Sequence, residues 1–175
     1  MADKIIILSG KQFSGKDTVA KILLGALPSF KRIGLADSIK LKYGNENGLT
    51  IEEIEKNKHL YRSDLIALGD KGRAIDPDYW LKTVISQEGD IIVPDVRVKR
   101  ELELFKEHNA FSVRVEASKV ARAKRGHLVK ENDMTETALD DVTDWDYVIH
   151  NDSDYNTLLA DSKPLISAIR SYFSI

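Results

Sequence analysis

Lys4-Ile5-Ile6-Ile7-Leu8-Ser9-Gly10-Lys11-Gln12-Phe13-Ser14-Gly15-Lys16-Asp17-Thr18 decides the fold of this chain. Ile5 to Leu8 is an unbroken apolar run, the pattern of a strand buried on both faces. It empties into a loop bounded by Gly10 and Gly15, with Lys16 directly after the second glycine. Val19-Ala20-Lys21-Ile22-Leu23-Leu24 then takes up helical spacing. Strand, Gly-x-x-x-x-Gly-Lys and helix, in that order, are the context of a phosphate-binding P-loop. Glycines let the backbone curl around an anion so that successive N–H groups point inward. The helix N-terminus adds a partial positive charge and Lys16 a full one. One position departs from the motif: Ser or Thr should follow the lysine to ligate magnesium, and here Asp17 stands there with Thr18 after it. The expected donor-binding set in this stretch is Gly10, Lys11, Ser14, Gly15, Lys16, Asp17 and Thr18.

Outward from the loop, the chain reads as one α/β domain. Its 175 residues are 42% apolar and 31% charged, enough for a real core. Phe30 to Leu35 reads as a second short strand, and Asp37 sits where strand gives way to helix, either as an N-cap or as a carboxylate at the ligand-binding sheet edge. From there to Glu88 strand character disappears. An Asn/Gly-rich break falls at Gly44–Gly48, Thr50 and Glu53 form a capping-box signature, and Leu60–Gly69 is helical, with Gly69 and Gly72 as its stop. Asp76-Pro77 opens a further helix whose buried face is Tyr79, Trp80, Leu81, Val84 and Ile85. Ile91-Ile92-Val93-Pro94-Asp95 is a third strand closed by a carboxylate, with a helix over Lys99–His108 after it. Ala110–Glu116 alternates as a fourth strand. Ser118–Arg125 is a basic helix, Gly126–Asp133 a polar segment expected to be mobile, Thr135–Leu139 a helical turn, and Tyr147–Ile149 a fifth strand. Asp154–Phe173 closes the chain as a helix that Pro164 kinks or splits. The resulting expectation is a three-layer fold with a mostly parallel five-stranded sheet, a helical acceptor-binding insert at about 38–88 and a lid at about 119–135.

Several classes are argued against. The net charge of −2, with both signs interspersed, disfavours a nucleic-acid surface. No apolar run approaches the ~20 residues of a membrane span, and Met1-Ala2-Asp3-Lys4 lacks the features of a secretory signal. The absence of cysteine rules out disulfides and fits a cytoplasmic location. His59, His108, His127 and His150 show no metal-site spacing. Asn57-Lys58-His59-Leu60 fails the guanine signature of a GTPase at its carboxylate. A monomer or homodimer acting on small molecules is expected.

Phosphoryl transfer needs positive charge gathered around a triphosphate and often around an anionic acceptor. Arg62 and Arg73 lie in the helical insert, Arg97 just beyond the third strand, and Arg122 and Arg125 three apart on one helix face, where they could clamp a polyphosphate. Asp95 resembles a Walker B carboxylate and, with Asp17, could hold Mg²⁺ through water.

Together, Ser9-Gly10 through Thr18, Leu35-Ala36-Asp37 with Lys40, Gly69 with Arg73, Asp76-Pro77-Asp78 and Trp80, Asp95-Val96-Arg97, Thr135 to Asp141, and Asp146-Tyr147-Val148-Ile149 with Asn151 resemble phage-type deoxynucleoside monophosphate kinases nearly end to end. The resemblance implies ATP with Mg²⁺ as donor and a (deoxy)nucleoside monophosphate as acceptor. It implies that Lys16 holds the transferring phosphate, with Arg97, Arg122 and Arg125 as the other catalytic cations and Asn151 on the ATP side. Asp37, Lys40, Arg62, Arg73, Trp80, Asp95 and Arg97 would fall in the acceptor region. The chain is also similar to animal-type phosphomevalonate kinases, which share Gly-x-x-x-Ser-Gly-Lys-Asp, the Lys40–Tyr43 region, Arg73-x-x-Asp76-Pro77 and the Arg122-x-x-Arg125-Gly126 lid. Val96, Val98 and His127 stand where that family tends to carry Thr, Arg and an aromatic, which favours the nucleotide kinase. Dephospho-coenzyme A kinase, with Asp37 as base, and a non-catalytic nucleotide-binding module remain as further alternatives.

Overall fold

A computed structural model describes residues 1–175. The elements are β1 (Ala2–Ser9), α1 (Lys16–Ala26), β2 (Phe30–Arg32), α2 (Leu35–Asn47), α3 (Ile51–Lys56), α4 (Lys58–Ile75), α5 (Tyr79–Ile85), β3 (Gly89–Val93), α6 (Lys99–Glu107), β4 (Phe111–Glu116), α7 (Lys119–Arg125), α8 (Met134–Thr137), β5 (Tyr147–His150) and α9 (Tyr155–Phe173).

The five strands pair in the order β2-β3-β1-β4-β5, and every pair is parallel. β1 is therefore central, which is why Ile5, Ile6, Ile7 and Leu8 are all buried. Ile6 and Leu8 join Val19, Leu23, Ile92, Val113, Val115, Leu165 and Ile169 in one cluster that includes the apolar sides of α1 and α9. Ile5 and Ile7 point to the opposite face by the two-residue strand period. The alternation expected for β4 does not appear in its burial: Phe111, Ser112, Val113, Arg114 and Val115 are all buried, as in a parallel sheet covered on both faces. Pro164 does not split the closing helix, which runs unbroken from Tyr155 to Phe173.

The chain forms two compact units: Ile33–Glu88 together with Met1, and Ala2–Arg32 with Gly89–Ile175. The first is the all-helical insert, which the sequence placed at about 38–88 inside one domain. Its details differ from expectation in four places. The second strand stops at Arg32, and Leu35 already begins α2. Asp37 is the third helical residue rather than the N-cap; its carboxylate accepts the Gly34 N–H at 2.8 Å. α2 passes through Gly44 and ends at Gly48, which takes the left-handed conformation. α4 passes through both Gly69 and Gly72. These two glycines make room for Trp80: a Cβ on Gly72 would lie 2.6 Å from the indole Nε1, and that nitrogen donates to the Gly69 carbonyl at 2.9 Å. The glycines expected to end the helix are where α4 receives α5. The Thr50/Glu53 capping box is present, with the Thr50 N–H donating to the Glu53 carboxylate at 2.8 Å.

Candidate active site

The loop after β1 is shaped by what surrounds its two glycines. Gly10 has φ 153° and Gly15 φ 101°, where an L side chain would be strained. A Cβ on Gly10 would also lie 2.4 Å from the Val115 carbonyl oxygen, and one on Gly15 2.2 Å from Asn151 Nδ2. Buried Asn151, just past β5, donates from Nδ2 to the Ser14 carbonyl at 2.9 Å. It braces the loop from below. Between the glycines, Phe13 holds a left-handed backbone without glycine's freedom (φ 58°), a strain typical of ligand-binding loops. The Ser14 hydroxyl is buried with no protein partner, a hydrogen-bonding capacity a phosphate oxygen can take up.

Lys16 folds back over this loop, donating to the carbonyls of Gly10 at 2.5 Å and Lys11 at 2.9 Å. Burial, then the nearby Arg97 and Arg114 charges, lower its pKa to about 8, against the opposing pull of Glu136 and Asp17. An anion entering here would relieve both costs, so the lysine is poised for a phosphate.

Around the loop lies a cavity of ≈ 630 Å³. Lys16, Arg32, Arg97 and Arg125 line it with four cations, and Asp17, Thr18, Asp95 and His127 reach it as well. Asp17, the departure from the motif, is an exposed carboxylate whose Oδ1 lies 3.3 Å from Arg32 Nη2. Asp17, Thr18 and Asp95 are hard oxygen donors lining one cavity, which suits Mg²⁺. No group of three or more His, Cys, Asp or Glu closes around a point, so the fitting form is a cation carried in by a triphosphate and finished by water.

The lid arginines, expected on one helix face, both reach the backbone of the P-loop, and of the two Arg125 lines the cavity. Arg122 is buried, donating to the Gln12 carbonyl and to Glu131, both at 3.5 Å. Arg125 does reach the cavity, yet it also donates to the carbonyls of Phe13 (3.2 Å), Asn151 (2.5 Å) and Ser153 (3.4 Å). Both arginines thus grip the loop backbone. The polar stretch expected to be mobile is tied down. The Gln12 amide pairs with the Val129 backbone in both directions, at 2.6 and 3.1 Å, and Glu131 meets Lys119 at 2.8 Å.

Four residues around the site, Glu136, Arg114, Arg32 and His127, have no site role that the sequence alone assigns. Glu136, its side chain 9% exposed, accepts the Gln12 N–H at 2.9 Å. Buried Arg114 reaches Glu116, Ser9 and Asp140, and Asp140 in turn holds Lys11 at 2.7 Å. Lys11, expected on the donor, is therefore engaged by a carboxylate. Arg32 lines the cavity, and so does His127, which the sequence marks only as a departure from the phosphomevalonate kinase pattern. Only contacts made on folding mark these residues, since no local spacing does.

In the helical unit, a second cavity of ≈ 400 Å³ carries Lys40, Lys58, Arg62 and Arg73 over an aliphatic floor of Ile39, Leu65 and Ile66. Lys40 is held by Asp37 at 3.1 Å and by Glu55; burial works against its charge, but the bonds to Glu55 and Asp37 together outweigh it and raise its pKa. Arg73 pairs with Asp70 at 2.6 Å, and Asp64 accepts from Tyr43 rather than pairing with Arg62. Trp80, expected at the acceptor, is interior: it is 6% exposed and stacks edge-on with Tyr79 at 4.9 Å. Lys58 is an unforeseen member of the set. Asp95 and Arg97, the other expected acceptor residues, belong to the sheet unit and line the cavity around Lys16.

A parallel sheet with a glycine-bounded lysine loop at its centre, opening on a four-cation cavity, defines an ATP-dependent kinase of the P-loop class. Solved structures share the fold at low identity. They include a shikimate kinase from Acinetobacter baumannii (TM-score 0.57, 14% identical, 96% of this chain and 93% of that one). A gluconokinase from Sinorhizobium meliloti 1021 is another (TM-score 0.56, 14% identical, 98% and 97% covered). A phosphomevalonate kinase of Drosophila melanogaster is 28% identical, over 86% of this chain and 89% of that protein. The family model described as phosphomevalonate kinase matches residues 8–111, more than half of the chain, and the chain belongs to that family. This is the second of the two resemblances drawn from the sequence; membership rests on the whole matched span, against which the three departures at Val96, Val98 and His127 weigh little. No helix is long and apolar enough to cross a membrane.

Proposed function

We propose that this chain transfers the γ-phosphate of Mg²⁺-bound ATP to the phosphate of phosphomevalonate, forming a diphosphate monoester. The observation that carries the reading is the cavity of the helical unit, four cations on an aliphatic floor, within a chain of this family. A small acyclic acceptor bearing a phosphate and a carboxylate needs cations at its ends and apolar surface between them. A nucleoside acceptor would be better served by an aromatic platform for its base. A phosphate acceptor is already largely dianionic at neutral pH, because its second pKa is near ~6. It needs charge neutralisation rather than a strong base.

In this reading the loop N–H groups, Lys16 and Arg125 hold the donor triphosphate. Asp17, Thr18 and Asp95 would hold the metal, partly through water, and a bound Mg²⁺ would supply neutralisation of the charge on the transferring group. Arg97 faces the transferring group, and Lys40, Arg62 and Arg73, joined by Lys58, hold the acceptor. Arg122 and Asn151 act through the loop backbone they brace, Lys11 through its bond to Asp140, and Asp37 through Lys40.

A deoxynucleoside monophosphate as acceptor is the second reading. It is favoured by Val98 and Val96, where phosphomevalonate kinases tend to carry Arg and Thr. ATP turnover against phosphomevalonate, a set of nucleoside monophosphates and dephospho-coenzyme A separates the readings. Stimulation by phosphomevalonate alone is expected. Stimulation by nucleotides alone would replace it with the second reading, and by dephospho-coenzyme A alone would make the acceptor a hydroxyl.

A further inference from the structure

Gln12, at the crown of the P-loop, has every polar atom engaged by residues 122–136. Its carbonyl takes Arg122, its side-chain amide pairs with Val129, and its N–H goes to Glu136 Oε2 at 2.9 Å. The other Glu136 oxygen, Oε1, lies 3.8 Å from Arg97 Nη1. Glu136 therefore meets the loop with one oxygen and faces Arg97 with the other. A carboxylate only 9% exposed, beside a half-exposed arginine, is retained against its desolvation cost only with firm partners. Arg97 is held from its other end too: its backbone N–H donates to Glu101 Oε2 at 2.6 Å, which fixes where its side chain starts.

We propose that Glu136 is a positioning residue for phosphoryl transfer, joining the P-loop at Gln12 to the Arg97 guanidinium so that loop and arginine move as one unit. Glu136 acts through Gln12 and Arg97, the two groups its oxygens face. One carboxylate does both tasks because its two oxygens serve two different elements: the loop after β1 and the segment after β3. The proposal rests on the reading that Arg97 serves the transferring group.

The two oxygens can be tested separately. Glu136→Gln keeps an oxygen for the Gln12 N–H and the side-chain shape, but removes the charge facing Arg97. Glu136→Ala removes both. Steady-state kinetics would be run with whichever acceptor stimulates the wild-type protein, or with water as acceptor if none does, so a wrong acceptor assignment leaves the result readable. For Glu136→Gln, assayed at about pH 7 or below so that Lys16 keeps its proton without the support of this carboxylate, we expect an unfolding temperature close to wild type, a KM for ATP within about twofold, and a kcat at least ~10-fold lower. Glu136→Ala should also raise KM for ATP, because the loop N–H is released. In an Arg97→Ala background, Glu136→Gln should cost less than twofold further, since the group it positions is gone. A Glu136→Gln protein with wild-type kcat would overturn the proposal. So would full additivity with Arg97→Ala, or a kcat loss matched by an equal fall in thermal stability, which would mark a purely structural role.

Discussion

Asp17 Oδ1 lies 3.3 Å from Arg32 Nη2, so the residue that breaks the P-loop motif is paired with a cation at the edge of the donor cavity. Both side chains are largely exposed, and such a pair contributes about 1 kcal/mol or less to folding. Its use is therefore local: it places a carboxylate where a hydroxyl normally meets the metal. Asp17→Asn should raise the Mg²⁺ concentration for half-maximal turnover several-fold and leave the unfolding temperature nearly unchanged. An unchanged Mg²⁺ dependence with a raised KM for ATP would show that Asp17 serves only to orient Arg32.

Lys16 sets function against stability. Its folded pKa of about 8 lies below the ordinary 10.5, so the unfolded chain binds more protons between these values. Stability from this group therefore rises as pH climbs from about 8 toward 10.5, and below about 8 the charged, buried lysine carries its full penalty, ~3 kcal/mol at most. Lys16→Met should abolish transfer while raising the unfolding temperature at pH 7. That advantage should shrink as pH rises past 8, which thermal scans across pH would read. Wild-type ATP affinity should weaken over the same alkaline range as the free enzyme's lysine loses its proton.

Asn151 supports the loop from a distant part of the chain. Removing its amide in Asn151→Ala leaves the Ser14 carbonyl without its donor, a loss of about 1–3 kcal/mol for a buried group. KM for ATP should rise with it, because Ser14 and Gly15 carry the phosphate-facing backbone. Nucleotide titration and chemical denaturation of the same variant report the two effects.

Gly72 tests the helical unit alone. An alanine there would press on the Trp80 indole, with contacts of 2.6 to 2.8 Å from its Cβ. Gly72→Ala gains helix propensity worth about 1 kcal/mol, but overpacking at a buried ring costs roughly 1–3 kcal/mol. The net result should be destabilisation, with KM for the acceptor rising more than KM for ATP. A more stable variant would mean that α4 and α5 separate easily.

What the sequence made legible follows the range of the interactions. The P-loop, the order of strands and helices, and the Thr50 cap depend on neighbours a few residues away, and these were readable. Gly69 and Gly72 were read as a helix stop because the residue that needs them, Trp80, becomes their neighbour only after folding. Glu136 was visible inside a motif yet without a role, since its partner Gln12 is 124 residues away in the chain. Arg122 and Arg125 were placed on one helix face by spacing, but spacing carries no information about which of them turns inward. The cations of the helical unit were found as residues, but the aliphatic floor that joins them is a product of packing.

What leaves the active site is read directly by ³¹P NMR of the reaction. With ATP, Mg²⁺ and phosphomevalonate, the account predicts ADP together with a new pair of mutually coupled resonances from a diphosphate monoester, at the expense of the acceptor's single phosphate signal. ADP accompanied only by inorganic phosphate, or an unchanged acceptor signal while nucleoside monophosphates are converted to diphosphates, would contradict it.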